Sequence, residues 1–408
     1  MWDGLLDRML AGLIRQGTLD VTMPDGRRRR YGSGGPGVGL RLTDPALPRR
    51  LVLSPDLALG EGYMDGTVEI EGDDLHGLLG LALSNIAAAP ANWRDRAVTT
   101  GARLRPFDRL NPAERARRNV AHHYDLSERL YRLFLDEDMQ YSCAYFRDPA
   151  MSLEEAQSAK KAHIAAKLLI EPEMRVLDIG CGWGGMALSL ARDHGARVLG
   201  VTLSEEQHRV ATERARQAGL SDRVEFRLID YRAVTGRFDR IVSVGMFEHV
   251  GVPHYRRYFR TVHDLLAPDG VALIHTIGRA APPGATSPWI TRYIFPGGYC
   301  PSLSEMMAAV EDERLYETDV EVWRLHYAMT LRHWHDRFVA SIDEARALYD
   351  DRFCRMWRYY LVASEQTFRL NRQCVFQVQM AHRQEAVPLT RDYLYPAAAK
   401  LAQLRAAE

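Results

Sequence analysis

The sequence predicts a doubly wound, mostly parallel α/β sheet with a helical cover, preceded by a small α+β domain. After residue 111, short apolar segments alternate with helical segments, a pattern that favours a parallel sheet covered on both faces. The expected strands are 175–179, 197–202, 224–229, 240–244 and 271–275. The segments 283–312 and 333–370 are too long for simple connections, and we expect them to cover the strand ends.

The front of the chain carries shorter and more varied signals. The expected elements are a helix at 2–16, a turn-rich stretch at 26–39, strands at 38–42, 51–53 and 68–70, and a helix at 75–86. Proline- and alanine-containing residues then indicate a linker. We therefore expect an N-terminal domain 1–90, a linker 91–111 and a main domain 112–408.

Composition excludes several classes of protein. The chain has 408 residues, of which 46% are hydrophobic and 26% charged, as in soluble globular proteins. Lysine plus arginine equals aspartate plus glutamate at 53 each, so we expect no nucleic-acid partner. The five cysteines lack zinc or C-x-x-C spacing, which favours a reducing cytoplasm and no metal. No segment approaches the roughly 20 apolar residues of a membrane span, so any membrane contact should be peripheral.

A glycine-rich turn follows the first expected strand of the main domain. It carries one acid, Asp178, followed by Gly180, Gly182 and Gly184 in the pattern D-x-G-x-G-x-G. This spacing differs from the dinucleotide fingerprint, which keeps two residues between its second and third glycines. The turn therefore indicates S-adenosylmethionine, although such glycines can also serve helix packing alone.

Six motifs in one order support a more specific interpretation. They are YSCAYF at 141–146, LDIGCGWG at 177–184, GVTLS at 200–204, GMFEHVG at 245–251, HTIG at 275–278 and YYL at 359–361. Together they closely resemble the cyclopropane-fatty-acyl-phospholipid synthase family over residues 122–379. LGEGYMDG at 59–66 resembles that family's N-terminal domain. The resemblance implies a Rossmann-like methyltransferase sheet. It also implies transfer of the S-adenosylmethionine methyl group to a cis double bond of a phospholipid acyl chain, with closure to a cyclopropane ring.

This chemistry sets requirements for the site. An alkene is a weak nucleophile, so the site must orient it against the sulfonium methyl group and stabilise the cation that develops. Water would trap that cation, so the pocket should be apolar and rich in aromatic faces. A base must then remove a proton from the added methyl group. The resemblance implies that this base is a bound bicarbonate.

The resemblance also assigns residues to the two ligands. For bicarbonate, the matching residues are Cys143, Glu248, His275, Ile277 through its backbone, and Tyr327. For S-adenosylmethionine, they are Tyr141, Ser142, Asp178, Gly180, Gly182, Gly184, Thr202, Gln207, Asp230 and Tyr231. Each of these residues, taken alone, has an ordinary structural interpretation as well. Tyr327 is the loosest match, because His326 is adjacent to it.

Two other functions stay open on the sequence. One is a fatty-acyl methyltransferase that leaves a branched or methylene product without ring closure; Ser364 stands where the resembled family often carries a cysteine. The other is a non-catalytic protein that binds lipid or S-adenosylmethionine.

A phospholipid substrate requires contact with a membrane surface. The arginine run 27–30 and further arginines at 103, 105, 109, 115, 117 and 118 are interleaved with apolar residues. Basic residues near an anionic bilayer contribute about 1 kcal/mol each. We therefore expect the N-terminal domain to dock on the inner face of the membrane and to pair two subunits in a homodimer. The alternative is an ordinary solvated basic face.

Overall fold

The N-terminal domain combines a four-stranded sheet with helices. The computed structural model describes residues 1–89 and 127–395. The elements of this domain are α1 (Trp2–Leu13), β1 (Gly17–Thr22), β2 (Arg28–Gly34), β3 (Gly37–Leu42), α2 (Leu47–Leu53), α3 (Pro55–Met64), β4 (Val68–Ile70) and α4 (Leu75–Ala88). The strands lie in the order β2-β1-β3-β4, with β1 and β3 parallel and the other pairs antiparallel.

The main domain is built on a seven-stranded sheet. Its strands are β5 (Arg175–Ile179), β6 (Arg197–Thr202), β7 (Val224–Leu228), β8 (Phe238–Val244), β9 (Leu266–Arg279), β10 (Tyr316–Trp323) and β11 (Gln373–Ala381). They lie in the order β10-β11-β9-β8-β5-β6-β7. The strands from β5 to β9 are parallel, whereas β11 pairs antiparallel with both β9 and β10.

Helices surround this sheet and build a second aromatic core beside it. They are α5 (Glu128–Arg132), α6 (Leu153–Lys167), α7 (Gly185–His194), α8 (Glu205–Gln217), α9 (Tyr255–Leu265), α10 (Pro288–Tyr293), α11 (Leu303–Asp312), α12 (His326–Ala340), α13 (Ile342–Leu348) and α14 (Asp351–Leu370). Large aromatic side chains of α10, α12 and α14, among them Trp289, Trp334 and Trp357, are fully buried together. These helices form the cover that the sequence predicts.

The predicted fold class is confirmed, with three local differences. Residues 51–53 belong to helix α2 and not to a strand, because Leu47 and Leu51 lie one helical turn apart and are both buried. The stretch 26–39 contains β2 and is not mainly a turn, whereas β3 agrees with the strand predicted at 38–42. Strands β10 and β11 were not predicted. The predicted linker 91–111 and the arginines at 103–118 lie outside the described residues.

The arginine run 27–30, which begins one residue before β2, is largely paired with carboxylates of its own domain. Arg27 forms ion pairs with Asp3 and Asp25. Arg29 pairs with Asp7 and Arg30 with Asp20. Because these pairs neutralise most of the run, its attraction for an anionic surface is weaker than the sequence suggests. In the part of the chain that the structure describes, no helix is both long and apolar enough to cross a membrane.

Helix α3 of the N-terminal domain packs directly on the cover of the main domain. A Cβ atom placed on Gly60 would lie 2.3 Å from Cδ1 of Trp289, which is buried. The Asp56 carboxylate accepts hydrogen bonds from the Ser287 hydroxyl at 2.8 Å and from the Trp289 backbone N–H at 3.1 Å. Glycine is therefore required at position 60, where the two domains meet, because a side chain there would overlap Trp289.

Two glycine substitutions test this contact. Gly60→Ala is expected to lower the free energy of unfolding by about 1–3 kcal/mol, because the new methyl group overlaps the Trp289 ring. Gly12→Ala is the control: it lies in α1 with open space around it, and alanine there should stabilise by up to about 1 kcal/mol. Urea unfolding followed by circular dichroism measures both. Equal effects of the two substitutions would contradict the close packing.

Candidate active site

Two cavities meet at the carboxyl ends of the parallel strands, where open α/β sheets bind their ligands. The first is lined by the segments that follow β5, β6, β7 and β8. The second, of about 380 Å³, lies between β9 and the covering helices. Tyr141, Ser142, Gly245 and His249 line both cavities. A ligand in one cavity is therefore adjacent to a ligand in the other.

The first cavity gathers nine of the ten residues assigned to S-adenosylmethionine. These are Tyr141, Ser142, Asp178, Gly180, Gly182, Thr202, Gln207, Asp230 and Tyr231. The exception is Gly184, which caps the start of α7 with a φ of 85° and does not line the cavity. A Cβ atom there would lie 2.7 Å from the Phe226 ring, so this glycine serves the packing of the turn against β7.

Asp178 is the penultimate residue of β5, and it is buried without an ion-pair partner among the described residues. Its side chain is 1% exposed, and its Oδ2 atom has no hydrogen-bond partner among the described residues. Burial raises the pKa of this carboxyl to about 7, and the positive charge of Lys160 opposes the shift. A cationic ligand beside Asp178 would stabilise its ionised form.

Several other predicted side chains of this cavity contact each other or neighbouring residues. The Thr202 hydroxyl donates to Gln207 Oε1 at 2.9 Å, which aims the amide of Gln207. The Asp230 carboxylate is paired with Arg232, and the Tyr231 ring packs edge-on against Tyr258. Tyr231 is therefore a wall of the cavity and not an exposed aromatic.

Lys160 is a buried cation beneath the site that the sequence did not reveal. Its ammonium group donates to Gln140 Oε1 at 2.6 Å and to Ser142 Oγ at 2.8 Å. No carboxylate oxygen of the described residues forms an ion pair with it. Burial lowers its pKa to about 8, so it still carries charge at neutral pH. The sequence gives no signal for it, because a lysine in an amphipathic helix normally indicates a solvated face.

The second cavity contains all five residues assigned to bicarbonate: Cys143, Glu248, His275, Ile277 and Tyr327. Most of its remaining wall is aromatic or aliphatic, and includes Trp289, Phe295, Tyr299, Tyr359, Tyr360 and Phe368. The Tyr141 hydroxyl lies 2.9 Å from that of Tyr360, which joins this wall to the first cavity. The sequence predicted an aromatic pocket but not which of the covering aromatics would form it.

Glu248 is held in the loop after β8 by the backbone of β9. Its Oε1 accepts the Ile277 N–H at 2.6 Å, while its Oε2 is buried without a partner among the described residues. Burial raises the pKa of this carboxyl to about 7. The N–H of Ile277 therefore binds Glu248 and not an open ligand position.

His275 is oriented by the neighbouring antiparallel strand. It lies opposite Gln377 in the β9–β11 register, and the Gln377 Nε2 is 3.1 Å from its Nδ1. Burial holds the pKa of His275 well below its ordinary value, so the imidazole is neutral. A hydrogen bond from the amide to Nδ1 places the ring proton on Nε2.

Cys143 and Tyr327 are the remaining two residues that the resemblance assigns to bicarbonate. Cys143 is fully buried, and burial raises the pKa of its thiol, so it is not a thiolate. Tyr327 lies in the first turn of α12 and packs against Phe368. The adjacent His326 instead accepts the Phe146 N–H at 3.1 Å, which identifies it as structural.

Ser364, at the position of the family's usual cysteine, lines the cavity. Residues 1–89 and 127–395 contain no cluster of three or more potential metal ligands.

The buried carboxyl of Glu248 predicts a pH-dependent stability difference. Its folded pKa of about 7 exceeds the ordinary 4.5, so its favourable contribution is complete below pH 4.5 and is lost as the pH rises through 7. Glu248→Gln should therefore gain roughly 3 kcal/mol relative to the unsubstituted protein between pH 5 and 8, at about 1.4 kcal/mol per pKa unit. Urea unfolding at several pH values measures this difference.

The control for this experiment is Glu311→Gln, at an exposed position of α11. Its stability should follow the unsubstituted protein at every pH. If the Glu248→Gln curve were also parallel to that of the unsubstituted protein, the carboxyl would not titrate in this range.

Comparison with known proteins identifies the family. A model of the mycolic acid cyclopropane synthetase family matches residues 112–378, and one described as a domain of unknown function matches residues 5–88. The cyclopropane-fatty-acyl-phospholipid synthase of Escherichia coli K12 is 42% identical over 341 residues, which cover 83% of this chain and 86% of that protein. Tuberculostearic acid methyltransferase UfaA1 of Mycobacterium tuberculosis is 37% identical over 348 residues, or 81% of this chain and 80% of that protein.

A solved structure agrees with these sequence matches. The mycolic acid cyclopropane synthase CmaA1, in complex with SAH and CTAB, superposes with a TM-score of 0.63 and 33% identity, covering 67% of this chain and 99% of that one. Fold, motifs and sequence similarity therefore agree, and the family resemblance is confirmed. The chain belongs to the mycolic acid cyclopropane synthetase family of S-adenosylmethionine-dependent methyltransferases.

Proposed function

We propose that this enzyme transfers the methyl group of S-adenosylmethionine to the cis double bond of an unsaturated phospholipid acyl chain and closes a cyclopropane ring, with bound bicarbonate as the base. The observation that carries the proposal is the junction of the two cavities at Tyr141, Ser142, Gly245 and His249. One cavity offers polar groups for a cofactor, and the other offers an apolar wall for an acyl chain.

In the first cavity, we assign the ends of the cofactor to different residues. The Asp178 carboxylate suits the ammonium group of the methionine moiety, and the backbone at Gly180 and Gly182 allows close approach. Thr202 and Gln207 suit the ribose hydroxyls, since both are buried and polar. Tyr141, Ser142, Asp230 and Tyr231 complete the assignment.

In the second cavity, the wall suits a reaction that develops positive charge on carbon. Tyr141, Trp289, Tyr359 and Tyr360 present aromatic faces, whose electron density stabilises cations. The same side chains exclude water, which would otherwise capture the carbocation. The remaining requirement is a group that accepts a proton from the added methyl group.

The polar residues of the second cavity fit a small oxyacid anion. When bound, bicarbonate supplies an oxygen base strong enough to accept that proton. His275 offers a neutral N–H donor, and the unpartnered Oε2 of Glu248 can accept a hydroxyl proton. The Cys143 thiol and the Tyr327 hydroxyl line the same space. The buried ammonium of Lys160 is close enough to His275 and Cys143 to influence the pKa of both, which favours an anion there.

We propose that the chain consists of an N-terminal domain, a linker and a main domain. The enzyme is a cytoplasmic homodimer that acts at the inner face of the membrane. The domain contributes Asp56 and Leu83 to the wall of the lipid cavity. We propose that it docks on the bilayer, but with only a minor contribution from the ion-paired arginine run 27–30.

A second candidate function is methylation without ring closure. The similarity to tuberculostearic acid methyltransferase UfaA1 supports this second candidate. Incubation with S-adenosylmethionine, bicarbonate and vesicles of cis-unsaturated phospholipid, followed by mass spectrometry of the fatty acids, separates the two. A gain of one methylene that resists hydrogenation supports cyclopropanation, whereas a reducible product supports the second candidate. No gain on any unsaturated phospholipid would refute both.

Glu248→Gln tests the assignment of the base site. We expect kcat to fall at least about 100-fold, the usual minimum for loss of acid–base assistance, while the Kd for S-adenosylmethionine changes less than about threefold. Turnover and isothermal titration calorimetry measure the two quantities, with Glu311→Gln as the exposed control. Equal losses of turnover and cofactor affinity would assign Glu248 to cofactor binding or folding.

Asp178→Asn tests the cofactor site. Because the pKa of Asp178 is about 7, ionised carboxylate becomes more abundant from pH 6 to pH 8, and S-adenosylmethionine affinity should rise about tenfold over this range. The asparagine variant should bind more weakly and without this pH dependence. Asp222→Asn, at an exposed position, is the control. A pH dependence that survives in Asp178→Asn would remove Asp178 from the assignment.

A further inference from the structure

The second cavity contains a cation that methyl transfer does not use. Among the described residues that line it, Arg279 is the one lysine or arginine. Its Nε donates to the Cys300 carbonyl oxygen at 3.0 Å, and its guanidinium lies over the Tyr299 ring at 5.6 Å. None of the ion pairs within residues 1–89 and 127–395 involves Arg279. Its terminal nitrogens therefore remain able to bind an anionic ligand.

Arg279 lies at the outer end of the cavity, and the base site lies at the inner end. His275, Ile277 and Arg279 alternate along β9, so their side chains share one face of the sheet. His275 is 2% exposed, whereas Arg279 is half-buried and the neighbouring cavity residues Ala285 and Asn371 are exposed. The cavity therefore opens to solvent on the side of Arg279.

The spacing along β9 suits a lipid that enters from this side. Four residues of strand separate Arg279 from His275 by about 13 Å. An extended hydrocarbon chain covers that distance in roughly ten bonds, because bonds of about 1.5 Å advance by about 1.3 Å each when staggered. About five of these bonds belong to the glycerol and the ester, so a head group held at Arg279 places acyl carbons beyond the ester beside Glu248 and His275.

We propose that Arg279 binds the phosphodiester of the phospholipid whose acyl chain occupies this cavity. This assignment rests on the proposed function and names the part of the substrate that the enzyme holds outside the reaction centre. A guanidinium binds phosphate through two parallel hydrogen bonds, which fixes both position and orientation. The carboxylate of Asp56 lines the same cavity but forms no ion pair with Arg279, and its Oδ2 accepts from Ser287 and Trp289.

A binding experiment tests this assignment without turnover. The probes are a lysophosphatidylglycerol and a monoacylglycerol with the same cis-unsaturated chain, both below their micelle concentrations, titrated against tryptophan fluorescence; Trp289 lines the cavity. The unsubstituted protein should bind the lysophospholipid at least about tenfold more tightly, as expected for charge-assisted hydrogen bonds. Arg279→Gln should abolish this preference, and Arg279→Lys should retain part of it.

The control variant is Arg256→Gln, whose side chain is exposed, pairs with Asp312 and does not line the cavity. It should keep the full preference. A third probe, the free unsaturated fatty acid, distinguishes a phosphodiester site from a site for any anion. An equal preference for the fatty acid and the lysophospholipid would overturn the assignment to phosphate.

The remaining outcomes separate a binding role from a structural one. If Arg279→Gln weakened both neutral and anionic lipids equally, or changed neither, Arg279 would not be the phosphate site. Thermal unfolding of both Arg279 variants shows whether the hydrogen bond to Cys300 is needed for folding. If the glutamine variant does not fold, the partial lipid preference of the lysine variant decides whether Arg279 binds the phosphate. If the lipid preference is found but no methylated product forms on any phospholipid, the proposed function fails while the binding assignment stands.

Discussion

The site depends on one buried carboxyl group, that of Glu248, which the backbone of β9 holds in place. Glu248 accepts the Ile277 N–H through its side chain, and its backbone carbonyl accepts the Tyr299 N–H at 2.9 Å. One residue thereby connects the loop after β8, the strand β9 and the chain segment before α11. No described cation pairs with this carboxylate, so burial raises its pKa to about 7. The group that shapes the second cavity is thus also one that can change its protonation near neutral pH.

The same physical condition recurs around the junction of the two cavities. Burial raises the pKa of Asp178, lowers the pKa of Lys160 to about 8 and keeps His275 neutral. Each group is poorly solvated, and each gains from a ligand of suitable charge. A sulfonium cofactor and a small anion would meet these needs from opposite sides. The dry, aromatic environment that shifts these pKa values is also the one that a carbocation requires.

The N-terminal domain is part of this environment and not an independent appendage. Its helix α3 packs through Gly60 on Trp289, and Trp289 in turn lines the second cavity. Asp56 fixes the backbone at the start of α10. Movement of the domain would therefore change the shape of the cavity.

The sequence by itself determined the parallel strands and the glycine turn, and its motifs indicated most of the polar residues that line the two cavities. Strands β5 and β6 match their predicted bounds, because apolar periodicity is a local property. Only the tertiary structure decided the rest. The pairing of β11 with β9 places Gln377 on His275, the packing of α6 buries Lys160, and the fold of β1 and α1 neutralises the arginines of β2. Each of these depends on residues far apart in the chain, whose contacts no local pattern records.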